Sequence, residues 1–314
     1  MGRHCALSLQ AAGFRVRATS RDPERARKQF DYLEFTFCDF ESESSIVAAM
    51  SGCKGAVYLV HGLGTGADYP EREARAALLF QRAAAVTALE RIVYLGGVAP
   101  TGTASRHLAS RLNTGQLLRE GPVPTIELRA AMVIGHQSQS FTLVRDLAVN
   151  APVIALPPWL DNCSCPIAIC DASAAIAVAM ARPYSHSLWL ELGGPECLSH
   201  RALLEMLCDA FGTGLWERRI ARLTPAMATV GLSALTRVPT EVLRELVAGL
   251  DSPLTPNGPS FFTSDMAAEL RTVRQAIADA FSDESAEQSP SIETRHRIEE
   301  KTTRWLKRLG ANRD

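Results

Sequence analysis

Apolar runs and helical patterns alternate from Arg15 to Arg129. Short runs rich in β-branched and aromatic residues predict strands at Phe14–Thr19, Leu33–Cys38, Gly55–Val60, Arg91–Leu95 and Thr125–Arg129. The stretches between them predict helices at Pro23–Gln29, Glu43–Met50, Pro70–Ala88 and Ser105–Arg119. Asp22-Pro23 is typical of a capped helix start, and Gly121-Pro122 of a helix end. This alternation predicts a parallel sheet covered by helices on both faces.

Beyond Ala130 the alternation is less regular. The pattern predicts helices at Phe141–Val149 and Ser199–Phe211, and strands at Val153–Leu156, Pro166–Cys170 and Leu188–Leu192. Asp171 is expected to cap the helix that follows the second of these strands. Ser282–Ser291 has the composition of a polar linker. The charged segment Arg295–Leu309 predicts a terminal helix that is exposed to solvent rather than bound to a partner.

The N-terminal residues follow a recognisable order. A helical pattern through Cys5 and Leu9 ends at Gly13, and the first predicted strand then leads into Ser20-Arg21-Asp22-Pro23. In a dinucleotide-binding β-α-β unit, this order of helix, strand and polar tip comes after the first strand and its glycine-rich turn. The sequence therefore predicts a nicotinamide-cofactor fold without its first strand. Only Gly2 remains from the loop that holds the pyrophosphate.

Composition excludes several classes of function. The 314 residues are 46% hydrophobic and 21% charged, with 33 basic and 34 acidic side chains and a formal net charge of −1. A nearly neutral chain has no field that attracts nucleic acid or an anionic membrane, so a small-molecule ligand is expected. No apolar run is long enough to cross a bilayer and the N-terminus lacks a secretory pattern, so a cytoplasmic location is expected.

The eight cysteines are scattered along the chain. In a reducing compartment this predicts small buried side chains rather than disulfides. Cys163, Cys165 and Cys170 are close in sequence, but no histidine or fourth cysteine at ligand spacing completes a tetrahedral set. No metal site is therefore predicted.

The tip of the first predicted strand carries Ser20 and Arg21. NAD-binding folds usually place an acidic residue here, which binds the ribose 2′-hydroxyl. A guanidinium instead suits the additional phosphate of NADP, because it can pair with two phosphate oxygens. With Arg25 on the following helix, the pattern favours NADP over NAD. The alternative interpretation is that both arginines are surface charges around a helix start.

Three further segments follow predicted strands, at the edge where open α/β sheets bind ligands. Asp39 is interpreted either as a partner of the adenine amino group or as a residue that satisfies the next helix start. His61 and Gly62 begin a glycine-rich loop, and Gly96-Gly97 leaves similar room after the next strand. Glycines allow the backbone to approach a ligand closely, although they also serve simply to shape a loop.

His107 and Arg111 are four residues apart and therefore share one face of a predicted helix. His107 is a candidate proton donor, and Arg111 a candidate partner for ribose or phosphate. An adjacent guanidinium disfavours the protonated imidazole, which makes His107 a weak store of protons at neutral pH. An ordinary exposed pair on a helix is the alternative interpretation.

Taken together, these segments resemble the atypical short-chain dehydrogenase/reductases of the NmrA-like, NAD(P)H-binding type. The resemblance is carried, in family order, by Ser20-Arg-Asp-Pro-Glu-Arg25, Tyr58-Leu-Val-His-Gly62, Arg91-Ile-Val-Tyr-Leu-Gly-Gly97, His107-Leu-Ala-Ser-Arg111, Glu127-Leu-Arg-Ala-Ala-Met-Val-Ile-Gly135 and Glu191-Leu-Gly-Gly-Pro195. It implies a Rossmann-type sheet with helices on both faces over residues 1–150, to which residues 166–182 return. It also implies a smaller C-terminal substrate lobe of residues 151–165 and 183–281, followed by a linker and terminal helix at 282–314. NADP(H) is expected in a cleft at the carboxyl edge of the sheet.

Two departures from the family pattern bear on function. The strand and the Gly-x-x-Gly-x-x-Gly turn are missing before Gly2, and His107 and Arg111 stand where related enzymes have Tyr-x-x-x-Lys. In the strand order 3-2-1-4-5-6, loss of strand one leaves strands two and four facing each other. Each buried, unpaired backbone group there costs about 1–3 kcal/mol. The two strands must then close the gap, or another segment must fill it, or the recorded start is wrong. We expect a wrong start, with upstream codons supplying the strand.

Two functions are consistent with this sequence. The first is an NADP(H)-dependent oxidoreductase that acts on a small carbonyl or enone, with His107 as the proton donor and Arg111 on the ribose. The second is a non-catalytic NADP(H) sensor or scaffold, with cofactor binding weakened or lost, that presents its C-terminal lobe to a protein partner. The missing tyrosine favours the second, whereas His61 and His107 beside the predicted cleft favour the first.

Overall fold

The computed structural model describes residues 1–150, 153–213, 216–219, 224–284 and 292–310. The strands there are β1 (Arg17–Ser20), β2 (Glu34–Phe37), β3 (Gly55–Tyr58), β4 (Arg91–Gly97), β5 (Thr125–Ala130), β6 (Val133–Ile134), β7 (Val153–Leu156), β8 (Cys163–Ser164), β9 (Ile167–Ala168), β10 (Leu188–Glu191), β11 (Leu198–Ser199) and β12 (Trp216–Arg219). The helices are α1 (Gly2–Ala11), α2 (Pro23–Gln29), α3 (Glu43–Met50), α4 (Tyr69–Val86), α5 (Arg106–Glu120), α6 (Gln139–Asn150), α7 (Ile169–Ala181), α8 (His200–Phe211), α9 (Pro225–Leu232), α10 (Thr240–Gly249), α11 (Ser264–Ala267), α12 (Val273–Glu284) and α13 (Ile292–Arg308). A short 3-10 helix spans Pro158–Asp161.

The larger sheet is parallel, with the strand order β10-β5-β4-β3, and it is buried on both faces. Val93 and Leu95 of β4 pack in a core with α1, α7 and α13. The alternate residues of the same strand, Ile92 and Tyr94, pack in a second core with α3, α4 and α5. Successive side chains of a strand point to opposite faces, so this division confirms the predicted sheet with helices on both sides.

β1 and β3 are not joined in one sheet. β1 pairs in parallel with β2 alone, and among the described strands none pairs with the other edge of β1 or of β3. A cavity of about 1090 Å³, here called the interstrand cavity, is lined by Ala18 of β1, Ala56 and Val57 of β3, and Leu9 of α1. β1 and β3 therefore face each other with unpaired edges, as predicted, and the cavity shows that they have not moved together to pair.

Most predicted elements in the first half are confirmed, with ends that shift by a few residues. The bounds of α2 and α3 agree with the prediction. Asp22 caps α2 by accepting the backbone N–H of Arg25 at 3.0 Å. The first strand is shorter than predicted, since it begins at Arg17 rather than at Phe14.

The predicted role of Asp171 is wrong. The strand expected to reach Cys170 ends at Ala168, which is itself the N-cap of α7, so Asp171 lies inside the first turn of the helix. Its buried carboxylate accepts the backbone N–H of Arg271 at 2.7 Å and pairs with the ammonium of Lys301. A long-range ion pair, which local sequence does not show, thus replaces a local cap.

The C-terminal helix was also predicted wrongly. α13 is not a solvated surface helix, because it packs against α7 and α1. Trp305 is fully buried, and its indole N–H donates to Glu269 Oε2 at 3.1 Å. The apolar side chains of α13 form a narrow stripe that packs against alanine-rich α7. Because most of the other residues of this helix are charged, the sequence pattern did not indicate that the helix is buried.

Two boundaries in the second half need correction. β10, which was assigned to the substrate lobe, is an edge strand of the larger sheet beside β5. Ser282 and Asp283, expected to begin a polar linker, lie within α12. The rest of that linker prediction, residues 285–291, falls outside the described residues.

The prediction that the cysteines form no disulfides is wrong for one pair. Cys165 and Cys197 are bonded, with their Cα atoms 4.1 Å apart. The backbone brings them together, because the N–H of Gly194 donates to the carbonyl of Cys165 at 3.1 Å. The pair is separated by 32 residues, so cysteine spacing alone did not reveal it. Separately, none of the helices described reaches the length and apolarity needed to span a membrane.

We predict that Trp305→Ala lowers the free energy of unfolding by about 3–5 kcal/mol, the usual cost of removing a buried large aromatic side chain. Chemical denaturation measures the change. Ile292→Ala is the matched control, because Ile292 is on the same helix and 87% exposed, and it should change stability by less than about 0.5 kcal/mol. Equal effects of the two substitutions would show that α13 does not contribute to the core.

Candidate cofactor and substrate site

A second cavity, of about 820 Å³, opens at the carboxyl ends of the parallel strands. We call it the carboxyl-edge cavity. It brings together predicted site residues that are distant in sequence: Gly2, His61, Gly96, Gly97, His107 and Arg111. They come from the start of α1, the loop after β3, the end of β4 and the first turns of α5. The edge of a parallel sheet therefore assembles them as the sequence analysis expected.

The opposite wall of this cavity is mostly apolar and comes from the C-terminal half. Its aliphatic side chains are contributed by α6, α8, α9 and α10: Leu143, Leu147, Leu204, Leu232, Leu246 and Val247. Trp159, in the short 3-10 helix, adds an aromatic surface. Such a wall suits an apolar ligand whose few polar atoms face the sheet edge.

The loop after β3 has a conformation that needs glycine. Gly64 and Gly66 have φ values of +79° and +114°, in a region that other residues rarely adopt. A Cβ at Gly64 would also lie 2.6 Å from a methyl group of Val242 on α10. The loop is thus shaped to let α10 approach it closely.

Buried Glu73 of α4 anchors this loop, although the sequence analysis did not select it. Its carboxylate accepts the backbone N–H of Gly62 and the hydroxyl of Ser110 on α5. Gly62 is therefore held by α4, and it lines neither cavity. The position of Gly62 depends on its hydrogen bond to Glu73, eleven residues later in the chain, and no sequence motif indicates this contact.

Arg111 is fixed at the end of β4. Its guanidinium donates to the carbonyl of Leu95, while its own backbone carbonyl accepts the hydroxyl of Tyr94 at 3.1 Å. A Cβ built on Gly97 would be 3.5 Å from the Arg111 side chain, so the arginine lies directly against the glycine pair. The remaining N–H groups of the guanidinium are available to a ligand in the cavity.

Both histidines of the site are neutral at physiological pH. Burial, followed by the Arg111 guanidinium and His61, lowers the pKa of His107 to about 3. Burial of the imidazole and Arg111 likewise lower the pKa of His61 to about 4, although the residue as a whole is exposed to solvent. His107 Nδ1 is buried without a hydrogen-bond partner. A neutral imidazole has one N–H to donate, so it can polarise a carbonyl oxygen without being a strong acid.

The tyrosines of β3 and β4, Tyr58 and Tyr94, do not replace the phenol of related enzymes. Tyr58 and Tyr94 belong to the core on the far face of the sheet, and neither lines the cavity. Burial raises the pKa of Tyr94 to about 12. Among the described residues that line the cavity, His61 and His107 lie at the sheet edge, and the carboxylate of Glu245, on the opposite wall, is 4.0 Å from the guanidinium of Arg106.

Two cavity residues were missed by the sequence analysis. His200, at the start of α8, is buried with Nε2 unpartnered, and burial lowers its pKa to about 4. Gln137 has a φ of +65° and lines both cavities, and unfavourable backbone conformations of this kind recur at binding sites. Neither residue lies in a motif, so only the packing of the C-terminal half reveals them.

The adenosine-side residues lie outside both cavities. Arg21 is exposed at the tip of β1, and across the described residues it has no ion-pair partner. The Ser20 hydroxyl accepts the backbone N–H of Asp22 at 3.0 Å. Asp39 Oδ1 accepts the N–H of Glu41 at 3.1 Å, which favours its interpretation as a helix-start residue. The neighbouring residues Thr19 and Cys38 line the interstrand cavity.

Metal ligands are not grouped at this site. In the part of the chain that the structure describes, no three His, Cys, Asp or Glu side chains are placed to hold a metal ion.

Comparison with known proteins gives structural relatives only. No family model matches the chain, and no curated protein matches its sequence. A triphenylmethane reductase of Citrobacter sp., solved with NADP(H), superposes with a TM-score of 0.68 at 15% identity, covering 89% of this chain and 96% of that one. An NADPH-dependent quinone oxidoreductase of Escherichia coli, solved with NADPH, gives 0.66 at 15% identity over 89% and 96% of the two chains. A nucleoside-diphosphate-sugar epimerase of Staphylococcus aureus gives 0.65 at 15% identity over 87% and 96%. At this identity the likeness shows the fold, which is a Rossmann-type α/β fold.

We predict that Arg111→Met raises the titration midpoints of His107 and His61 by about one pH unit, because a nearby positive charge is removed. Both midpoints should stay below 6.5, since burial is the larger cause. Histidine ring signals in NMR spectra, followed with pH, measure the change. His200 is the internal control, because burial alone lowers its pKa. Unchanged midpoints for His107 and His61 would remove Arg111 from this electrostatic role.

Proposed function

We propose that the protein is an NADP(H)-dependent oxidoreductase of the atypical short-chain dehydrogenase/reductase type. The observation that carries the proposal is the carboxyl-edge cavity, in which His107 and Arg111 meet Gly96 and Gly97 under an apolar wall. The structural relatives solved with NADPH or NADP(H) support it through their shared fold.

The residues present fit the two ends of the cofactor. At the nicotinamide end, Gly96 and Gly97 leave room at the sheet edge, and Arg111 offers N–H groups to a ribose hydroxyl or a phosphate. At the adenosine end, the exposed guanidinium of Arg21 suits a 2′-phosphate. Between them, the pyrophosphate would meet the N-terminal N–H groups of α1 at Gly2, which have no acceptors within the helix.

When bound, the nicotinamide ring supplies or accepts the hydride. The chain positions the substrate in the apolar part of the cavity, and its neutral His107 donates a hydrogen bond to the substrate oxygen. A weak proton donor such as His107 is sufficient when the substrate delocalises the negative charge left by hydride addition over a conjugated system. An apolar enone or quinone therefore fits this cavity better than a simple aldehyde, whose alkoxide product needs a stronger proton donor.

A cofactor-binding sensor or scaffold is the second candidate. Among the residues that the structure describes, no tyrosine lines the cavity, and this and the neutral state of His107 favour the second candidate. α9 also exposes Met227 and Val230, at 60% and 76% of their surfaces, which gives the C-terminal half an apolar contact surface for a protein.

The resemblance also implies a strand and a glycine-rich turn before α1. The open edges of β1 and β3 around the interstrand cavity support the proposal that such a segment belongs between them. A protein extended upstream of Met1 should then bind NADPH more tightly than the 314-residue chain.

We predict that Arg21→Ala weakens NADPH binding about 10- to 100-fold and leaves NADH binding unchanged, because a charge-assisted hydrogen bond contributes about 1.5–3 kcal/mol. Nicotinamide fluorescence measures both dissociation constants. Arg15→Ala is the matched control, since Arg15 is an equally exposed cation just before β1, away from its tip. Equal losses for NADPH and NADH would place Arg21 away from the 2′-phosphate.

For turnover, we expect NADPH oxidation with an apolar naphthoquinone to exceed that with a small aliphatic aldehyde. His107→Ala should lower kcat/KM for the quinone about tenfold, the effect of one lost hydrogen bond of about 1.4 kcal/mol. His186→Ala is the control, because His186 is exposed just before β10, at the opposite edge of the sheet. NADPH binding without turnover of either substrate would support the sensor and overturn the reductase.

A further inference from the structure

Among the described residues that line the carboxyl-edge cavity, two polar side chains are buried: Ser164 of β8 and His200 at the start of α8. Their exposures are only 2% and 6%. Most other residues that the C-terminal half contributes to this cavity are apolar, among them Trp159, Leu204 and Leu254. The two polar groups are therefore set into an apolar surface that a ligand in the cavity would contact.

The hydrogen-bonding capacity of both side chains is unused within the protein. His200 Nε2 is buried without a hydrogen-bond partner. Among the described residues, none forms a hydrogen bond with the Ser164 hydroxyl. An unpaired polar atom in an apolar wall costs free energy that an apolar side chain of the same shape would not. A ligand oxygen that pairs with these groups would offset this cost.

Strand pairing brings the two side chains to one face. β8 and β11 are antiparallel, with Ser164 opposite Leu198. His200 continues this pairing, since its backbone N–H donates to the carbonyl of Asn162 at 3.1 Å. Leu198 and His200 are two residues apart and therefore point to the same face, which is also the face of Ser164. Diagonal neighbours of this kind are about 7–8 Å apart, so one ligand oxygen can lie between their polar atoms.

The backbone that carries this pair is held on several sides. Cys165, directly after Ser164, is disulfide-bonded to Cys197, which directly precedes β11. The Asn162 side chain donates to the carbonyl of Leu250 at 2.9 Å, which ties the same segment to the end of α10. The pair is therefore positioned before any ligand arrives, which lowers the entropic cost of binding.

The charge state of the pair selects the kind of ligand atom. Burial lowers the pKa of His200 to about 4, so its imidazole is neutral at physiological pH and has one N–H donor and one acceptor nitrogen. The Ser164 hydroxyl can likewise donate and accept. A neutral pair of this kind suits an uncharged oxygen better than a carboxylate or an ammonium group, whose charge it would leave uncompensated.

We infer that Ser164 and His200 bind an uncharged hydroxyl or carbonyl oxygen at the end of the substrate remote from His107. The inference rests on the proposed function and deepens it, because it names the second polar anchor of the substrate in the same cavity. The substrate is then an apolar ring system with an oxygen at each end. Its middle would contact the aliphatic side chains that separate the two polar regions, such as Leu143 and Leu147.

The test compares two aromatic ketones that differ by one hydroxyl group. 2-Acetylnaphthalene has an oxygen at one end, and 6-hydroxy-2-acetylnaphthalene has a second oxygen at the opposite end. Both are titrated into the 314-residue protein without nucleotide, and the histidine ring signals in NMR spectra give the dissociation constants. The hydroxylated ketone should bind about tenfold more tightly, the effect of one additional hydrogen bond to a buried partner. It should also shift the His200 ring signals more than the parent ketone does.

Two variants assign this preference to the pair. His200→Phe keeps a ring of similar size, so it should bind the two ketones with affinities that agree within about twofold, because the polar partner is gone. Ser164→Ala removes a single hydroxyl and should reduce the preference to about threefold. This milder change also provides the test if His200→Phe does not fold. His186→Phe is the matched control, because His186 is exposed outside the cavity, and it should keep the full preference.

Three outcomes would overturn the inference: equal binding of the two ketones by the unmodified protein, a preference that both variants retain, and binding of neither ketone. Because these measurements need no cofactor, they are separate from the test of the oxidoreductase. Equal binding of the ketones together with NADPH oxidation by a naphthoquinone would remove the second anchor and leave the reductase. A preference that depends on His200, without any NADPH oxidation, would support the anchor and overturn the reductase.

Discussion

Burial of the parallel sheet on both faces is the constraint on which the remaining architecture depends. A strand such as β4 has no polar side, so each face must be covered by helices that are apolar where they meet it. α3, α4 and α5 cover one face, and α1, α7 and α13 the other. Because helices cover both faces of the sheet, a cleft can form where the strands end, and the carboxyl-edge cavity lies there.

Within that cleft, burial and one guanidinium together lower the pKa of the histidines, and burial is the larger cause. Arg111 is held by the carbonyl of Leu95, so its charge stays beside His107 and His61. The same charge that attracts a phosphate or a ribose oxygen therefore adds to the effect of burial, which already disfavours protonated histidines. Under the function proposed above, anion binding and acid catalysis compete at this site, and an electron-delocalising acceptor is the class of substrate that tolerates this balance.

The sequence predicted correctly those features that depend on interactions between residues close together in the chain. The bounds of α2 and α3, the Asp22 cap and the parallel strands all follow from short-range periodicity and from turn chemistry. The spacing of His107 and Arg111 likewise sufficed to place them together on one helix face, and both reach the cavity. The unpaired edges of β1 and β3 agree with the order of elements in a β-α-β unit, in which a helix and strand of this kind follow a further strand.

The errors arose from interactions between distant residues. Asp171 was read as a helix cap, but it meets Lys301 from the far end of the chain. The charged composition of α13 hid Trp305, whose burial depends on the shape of α7 and α1. Cys165 meets Cys197 beside a long-range backbone hydrogen bond from Gly194 to Cys165, which no spacing rule predicts. His200 of α8 lines the cavity and Glu73 of α4 holds the loop after β3. Both positions depend on how these helices pack, which short-range sequence patterns do not show.

The two cavities share a boundary formed by Met1, Gly2, Leu59 and Gln137, and this links the sheet to the cleft. The N-terminus of α1 lies there, and an anion at this position is favourable with the helix dipole. A strand in the interstrand cavity would end beside it and complete one wall of the cleft. Whatever occupies the space between β1 and β3 therefore determines how well the start of α1 can receive an anionic ligand.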